Sequence, residues 1–263
     1  MTRPSRRGSC EPQGAGPGAA APLLALDGVT KRYVRGRHEI IALDDVSLEV
    51  ASGEFVAIFG SHGSGKTTLL RVAAGIEAAY EGRVTFAGDD MTEWATSRRK
   101  HGLHPRIGWL RRSGPFLASM EVVDYVALPV ARGGSPADAQ RRATRALKRM
   151  RADALAHATW EELSDAERTH VMLAQAVVRE PALLLADDPT RGLGVGDRER
   201  LLTLLRAVAD EDGMAVLMTV PEVPDMLRSH TVMTLSDGEL IASSARSATA
   251  DVIDLPARRN TAR

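Results

Sequence analysis

Nine consecutive residues, Gly60-Ser61-His62-Gly63-Ser64-Gly65-Lys66-Thr67-Thr68, carry the most recognisable chemistry of the chain. They fit the pattern G-x-x-x-x-G-K-[ST] at every fixed position, between the apolar run Phe55–Phe59 and the helix-like LLRVAAG. Glycines at this spacing let backbone N–H groups curl around phosphate oxygens, and Lys66 brings positive charge to the outer phosphates. Thr67 offers a hydroxyl of the kind that ligates Mg²⁺. Ser61, His62, Ser64 and Thr68 complete the loop, and the lone His62 reads as a solvent-facing filler. A second element, Leu183-Leu184-Leu185-Ala186-Asp187-Asp188, is an apolar strand ending in two acids. A polyphosphate site needs such a carboxylate for its magnesium shell, which is the role expected of Asp187. Asp188 follows, where a carboxylate base would orient an attacking water.

These residues need a scaffold. Alternating or apolar runs predict strands at Leu24–Val29, Ile40–Leu43, Val46–Val50, Phe55–Phe59 and Arg83–Ala87, so the first part of the chain is β-rich. Later apolar runs at Leu183–Ala186, Ala215–Thr219 and Thr231–Leu235, with helical segments between them, imply a parallel sheet covered on both faces. Helices are expected over Glu121–Ala131 and Pro136–Leu155, interrupted by Arg132-Gly133-Gly134-Ser135. The second carries Arg141, Arg142, Arg145, Lys148, Arg149 and Arg151. They read as a solvated face, since Ala143, Ala146, Leu147 and Met150 supply an inward side; a basic patch for lipid or a partner is the competing reading. In LSDAER, Ser164 and Glu167 form a capping box that starts a further helix through VMLAQAVV.

Composition narrows the classes. With 44% apolar and 26% charged residues, the chain can bury a sizeable core. Lys plus Arg and Asp plus Glu number 34 each, so no global field points to nucleic acid. The single cysteine, Cys10, excludes an intramolecular disulfide, and a reducing cytosol is the expected compartment. Nothing approaches the roughly 18 consecutive apolar residues of a membrane span. Arg6-Arg7 hints at a twin-arginine signal, but only Leu23-Leu24-Ala25-Leu26 is apolar before Asp27. A disordered tail is expected over residues 1–21, one domain over 22–245, and a polar C-terminal tail over 246–263.

Four segments, GSHGSGKTT, IGWLRRSGPFLASMEVVDYVALP, ELSDAERTHVMLAQAVV and EPALLLADDPTRGL, together resemble the ATP-binding subunits of ATP-binding cassette (ABC) transporters in order and spacing. The resemblance covers nearly all of the expected domain and points to the branch that serves lipoprotein-release and macrolide-export permeases. It implies an α/β fold: a P-loop NTPase core with a mostly parallel sheet between helices, an antiparallel β subdomain, and a helical insert at about 112–165. It implies ATP and Mg²⁺ as ligands, with Tyr33 stacking on adenine, although Tyr33 also reads as an ordinary strand aromatic. The implied partners are a second ABC ATPase subunit, as homodimer or heterodimer, and an integral membrane permease whose cytoplasmic helix docks near Phe116–Pro129. The chain would then be cytoplasmic, peripheral on the inner face of the cell membrane.

The same resemblance exposes departures at the chemical positions. The family's Gln that contacts metal and water falls on Arg112, which has donors but no acceptor, so it cannot ligate the metal and could instead pair with a phosphate. The catalytic Glu falls on Asp188, one methylene shorter, and a displacement of about 1 Å at a reacting centre can cost roughly a hundredfold in rate. The switch His falls on Val220, which can neither donate to a γ-phosphate nor hold a water. The acid after Leu193 that helps couple the two halves of a dimer falls on Gly194. The signature LSGGQ, which binds the γ-phosphate held by the opposite subunit, falls on Leu163, Ser164, Asp165, Ala166 and Glu167. Two acids now stand near the incoming phosphate and compete for the same helix N-terminus.

The expectation is therefore an ABC-type subunit that binds Mg-ATP, an ATPase by family with altered catalytic positions and slow or absent hydrolysis. A transporter ATPase of ordinary rate and a nucleotide-dependent regulator or scaffold without a permease are the competing readings.

Overall fold

The computed structural model describes residues 21–36, 38–96, 103–110, 119–131, 135–221, 223–226 and 228–245. Two sheets organise them. The smaller is antiparallel, in the order β2-β1-β4-β5, from β1 (Leu24–Arg35), β2 (His38–Val50), β4 (Glu81–Phe86) and the two-residue β5 (Asp89–Asp90). The larger has the order β10-β9-β3-β8-β7-β6, from β3 (Phe55–Phe59), β6 (Ile107–Leu110), β7 (Leu183–Asp187), β8 (Ala215–Val220), β9 (Thr231–Ser236) and β10 (Glu239–Ala245). Its strands β9, β3, β8, β7 and β6 pair in parallel, and β10 closes one edge antiparallel. The mostly parallel core and the antiparallel flank are both as expected.

Residue alternation along the central strands assigns the two faces. In β7, Leu183 and Leu185 enter one core and Leu184 and Ala186 the other; in β8, Ala215 and Leu217 part from Val216, Met218 and Val220 in the same way. The first core lies under α1 (Lys66–Ala73) and the antiparallel sheet. The second packs against α3 (Val122–Ala131), α4 (Pro136–Arg149), α5 (Asp165–Val177) and α6 (Val195–Asp212). A short helix, α2 (Met91–Thr96), follows β5. Strands buried on both faces explain the continuous apolar runs, because neither side of the ribbon meets water.

Several boundaries differ from the sequence expectation, and the first strand, expected over Leu24–Val29, runs on to Arg35. The strands expected at Ile40–Leu43 and Val46–Val50 are one strand, β2, whose register against β1 shifts beside Asp45, a residue with φ of 49°. The helix expected to reach Leu155 stops at Arg149, because Arg151 turns left-handed (φ 55°) and Ala152 N–H bonds back to the Leu147 carbonyl. A 3-10 turn, Asp153–Leu155, takes over. The strand expected to reach Ala87 stops at Phe86, since Ala87 has φ of 52°.

Pro129 lies inside α3 and cannot donate to the carbonyl of Tyr125 one turn earlier. Gln175 of α5 supplies the missing donor, its Nε2 lying 2.8 Å from that carbonyl, while Arg179 Nε donates to the Pro129 carbonyl at 3.0 Å. The proline thereby fastens α3 to α5. No helix of the described residues is long and apolar enough to cross a membrane.

Candidate nucleotide site

The glycine-rich loop is held between β3 and α1, and its glycines are required for different reasons. A side chain at Gly65 would meet the Ala42 carbonyl at 2.3 Å, and Gly65 also has φ of 105°. A side chain at Gly60 would meet the Leu235 carbonyl at 2.4 Å and Ser64 Oγ at 2.5 Å. Gly63 faces open space, and only its φ of 83° calls for glycine. The buried Lys66 ammonium donates to the carbonyls of Gly60 (2.7 Å) and Ser61 (3.0 Å). An ammonium has three protons, so these bonds fix its position and leave one for an outer phosphate. The α1 N-terminus has neither a side-chain cap nor an acid in its first turn. Its orphan N–H groups form an anion-receptive end, and the loop fits a polyphosphate. Ser61 and His62 are exposed, as expected for His62, while Ser64 is buried against Gly60.

Asp187 lies where the loop can use it. Thr67 Oγ1 donates to its Oδ2 at 2.9 Å. The other oxygen, Oδ1, is 2.8 Å from Thr219 Oγ1, and Asp187 pairs with Thr219 in register across β7 and β8. Thr219 also accepts the Asp188 N–H at 3.0 Å. The Thr67 hydroxyl and the Asp187 carboxylate together form a hard-oxygen pair suited to Mg²⁺. Sequence reasoning overlooked Thr219. Its signal was available: a hydroxyl near the end of an apolar strand that runs beside the strand ending in acids. Asp188 has φ of 45°, a left-handed conformation that Asp tolerates better than most residues.

Tyr33, on β1, approaches the same helix. Its hydroxyl donates to Glu77 Oε2 at 2.5 Å. Burial first, then the bond to Glu77, raises its pKa above the ordinary 10.0.

The residues of LSDAER lie in a different layer, at the start of α5, which packs on α3, α4 and β6 rather than on α1. The expected capping box is formed: Glu167 Oε2 accepts from Ser164 N–H at 2.8 Å and from Ser164 Oγ at 2.7 Å. Ser164 Oγ is in turn 3.4 Å from Glu167 N–H. These bonds lower the Glu167 pKa below its ordinary 4.5, the hydroxyl contributing most. Arg168 Nη1 pairs with Asp165 at 3.2 Å and its guanidinium lies over the Trp160 ring. A second box precedes it, in which Glu162 Oε2 accepts from Thr159 N–H (2.6 Å) and Thr159 Oγ1 (2.8 Å). The T-x-x-E pattern of Thr159–Glu162 could have revealed it. Leu163, between the two boxes, is buried.

The ABC transporter family matches residues 43–191 of the chain. The lipoprotein-releasing system ATP-binding protein LolD of Chromohalobacter salexigens is 32% identical over 219 residues, which is 83% of this chain and 92% of that protein. The chain belongs to the ABC transporter family. Its place there is with the ATP-binding subunits of the lipoprotein-release-like branch. Among solved structures, the ATP-binding cassette MJ0796, a dimer in a post-hydrolysis state with ADP and Pi, is similar with a TM-score of 0.75 at 27% identity. That match covers 85% of this chain and 98% of the cassette. The ADP-bound cassette MJ1267 shares the fold, with a TM-score of 0.74 at 23% identity over 86% of this chain and 92% of its own.

Against the ABC pattern, Val220 has no exposed surface and shares the face of Val216 and Met218, opposite that of Thr219. Gly194 is the N-cap of α6 and supplies no side-chain acceptor. Arg112 and the 116–118 part of the expected docking segment lie outside the described residues. Of the rest of that segment, Tyr125, Leu128 and Pro129 border a groove of about 250 Å³ shared with Leu103, Trp109, Met172 and Arg179.

Proposed function

We propose that this ABC subunit binds Mg-ATP at the loop formed by Gly60, Ser61, His62, Gly63, Ser64, Gly65, Lys66, Thr67 and Thr68, with Tyr33 against the adenine, and hydrolyses it slowly or not at all. Thr67 and Asp187 would hold the metal, and Mg²⁺, when bound, neutralises charge on the phosphates. The chain's own groups do the positioning: Lys66 is clamped by its loop carbonyls, and Asp187 by two hydroxyls.

The observation that carries the slow-hydrolysis reading is the self-capped signature. Glu167 already occupies the Ser164 hydroxyl and N–H, the groups at the helix start that a partner's γ-phosphate would approach. Its lowered pKa keeps the carboxylate ionised at neutral pH. Two like charges at ~4 Å repel by about 1 kcal/mol in water and by several-fold more when partly buried. Asp188 and Val220 in the places of the family's Glu and His weaken the chain's other contribution to catalysis. With defects on both contributions, no pairing gathers them in one site, whether homodimer or heterodimer.

By kinship with a lipoprotein-releasing ATPase, the partner is an integral membrane permease, and the subunit works at the cytoplasmic face of the membrane. The groove between α3 and α5 suits an amphipathic permease helix: Leu128 is 46% exposed beside Trp109 and Met172, and Arg179 stands at its edge. Movement of the permease would follow ATP binding and release more than hydrolysis.

The test is purification of the subunit from membranes with its permease, followed by ATPase measurement on that sample. Two restoring sets, Arg112→Gln with Asp188→Glu and Val220→His, and Asp165→Gly with Ala166→Gly and Glu167→Gln, should raise a low rate. Turnover of about 1 s⁻¹ or faster before any restoration defeats the proposal. Leu128→Asp should abolish permease capture; capture at the parent level removes the groove from the docking assignment.

A further inference from the structure

We propose that Glu77 is a positioning residue that locks the Tyr33 ring to the phosphate-binding helix, so that base and phosphate recognition act as one rigid unit. The inference rests on the reading of Tyr33 as the residue that meets the adenine.

Glu77 follows α1 and is stitched to its end through the backbone, its N–H bonding to the Arg71 carbonyl at 3.2 Å. Its side chain is fixed three ways. Oε1 accepts from Arg71 Nη1 at 2.9 Å, and Oε2 accepts the Tyr33 hydroxyl at 2.5 Å and lies 3.5 Å from Lys31 Nζ. Lys31 is tied to the same turn, donating to the Ala78 carbonyl at 2.8 Å. One carboxylate therefore joins β1 of the antiparallel sheet to the C-terminal turn of α1. The first turn of that helix carries Lys66, Thr67 and Thr68.

The arrangement also places a cation beside the ring. Lys31 Nζ lies 5.4 Å from the Tyr33 ring centroid, so one face is turned to a cation. The opposite face is the one assigned to the base under the proposed reading of Tyr33. An aromatic stacks well only when its plane is held, and a hydroxyl anchored to a carboxylate that is itself immobilised removes rotation about the ring's long reach from β1.

Calorimetric titration of the full chain with Mg-ATP and with Mg-tripolyphosphate, which has no base, tests this for Tyr33→Ala, Glu77→Ala, Glu77→Gln and the double alanine variant. Losing the anchoring bond should weaken Mg-ATP roughly threefold to tenfold in Glu77→Ala and leave Mg-tripolyphosphate unchanged. Glu77→Gln keeps an acceptor for the Tyr33 hydroxyl and should retain most of the affinity. The double variant should match Tyr33→Ala alone, because Glu77 acts through the ring. If Tyr33→Ala leaves Mg-ATP affinity unchanged, the underlying reading of Tyr33 fails. If Tyr33→Ala weakens Mg-ATP and Glu77→Ala does not, only the positioning role of Glu77 is overturned. Equal losses for both ligands in Glu77→Ala likewise overturn it, since the residue would then support the helix rather than the ring.

Discussion

Restoring the family signature should make the isolated subunit less stable and the nucleotide-bound dimer more so. The perturbation is the triple variant Asp165→Gly, Ala166→Gly, Glu167→Gln at the first three helical positions of α5. Its cost in the free subunit can be assembled from the contacts. Ala166→Gly costs up to ~1 kcal/mol of helix propensity. Removing the Asp165 charge forfeits ~0.3–1 kcal/mol of favourable interaction with the helix dipole. Its pair with Arg168 adds little, because the Asp165 side chain is 79% exposed. Gln at 167 can still accept from Ser164, but as a neutral bond of roughly half the strength. The sum is about 2 kcal/mol, which lowers the Tm of a domain this size by about 4–8 °C. Thermal unfolding followed by circular dichroism, without nucleotide, reads that loss. Size-exclusion chromatography with Mg-ATP reads the gain, a larger dimer fraction than in the parent. An unchanged Tm refutes the claim that this helix is stabilised by its own acids. A lower Tm with no added dimer refutes the claim that those acids keep the phosphate out.

Three further outcomes are expected. Lys66→Ala should weaken Mg-ATP binding roughly tenfold to hundredfold by equilibrium dialysis, the effect of losing a charged donor to phosphate. Val220→His should lower the Tm on its own, since a larger polar ring replaces an isopropyl group with no exposed surface; overpacking alone costs about 1–3 kcal/mol. Acid titration of unfolding should separate the parent from Glu167→Gln. A depressed folded pKa favours the native state at pH values above the unfolded value, near 4.5, and that advantage fades as the pH falls through the lowered folded value. The two proteins should differ in stability at neutral pH and converge at low pH, as measured by urea unfolding; a difference that persists at low pH contradicts the assignment.

The proposed phosphate loop was legible because its chemistry is local. The glycine loop with Lys66 and Thr67 is a strand, a turn and a helix in succession, which pattern alone singles out, whereas Asp187, 120 residues from Thr67, was read from the apolar strand that it ends. Capping is equally local, so the bond between Ser164 and Glu167 could be read directly from S-x-x-E. Residues whose meaning comes from across the fold were harder to see. Thr219 gains its role only once β8 is parallel to β7 and in register with Asp187. Glu77 means little in sequence until β1 brings Tyr33 to the end of α1. The left-handed Arg151 ends α4 against a helix-favouring composition, with Ala152 N–H satisfying the Leu147 carbonyl.

The chain contains two helix N-termini of opposite design, and the fold keeps their consequences apart. The α1 end has no cap and no acid, so its N–H groups await an anion. The α5 end carries a cap and two acids, so its needs are met internally. Because α1 lies over one face of the parallel sheet and α5 over the other, the second can change without disturbing the first. Val220 extends the same separation. At the end of β8 the chain turns Thr219 towards Asp187 and Val220 into the opposite core, so replacing a switch histidine with an apolar residue adds packing where a polar ring would be buried. On the proposed reading, residues that weaken catalysis between subunits would also stabilise the lone subunit, the trade-off that the Tm measurements above test. The proposed nucleotide loop and the altered signature therefore lie on opposite faces of the sheet, and Val220 meets the strand leading into the loop through its pairing with Phe59.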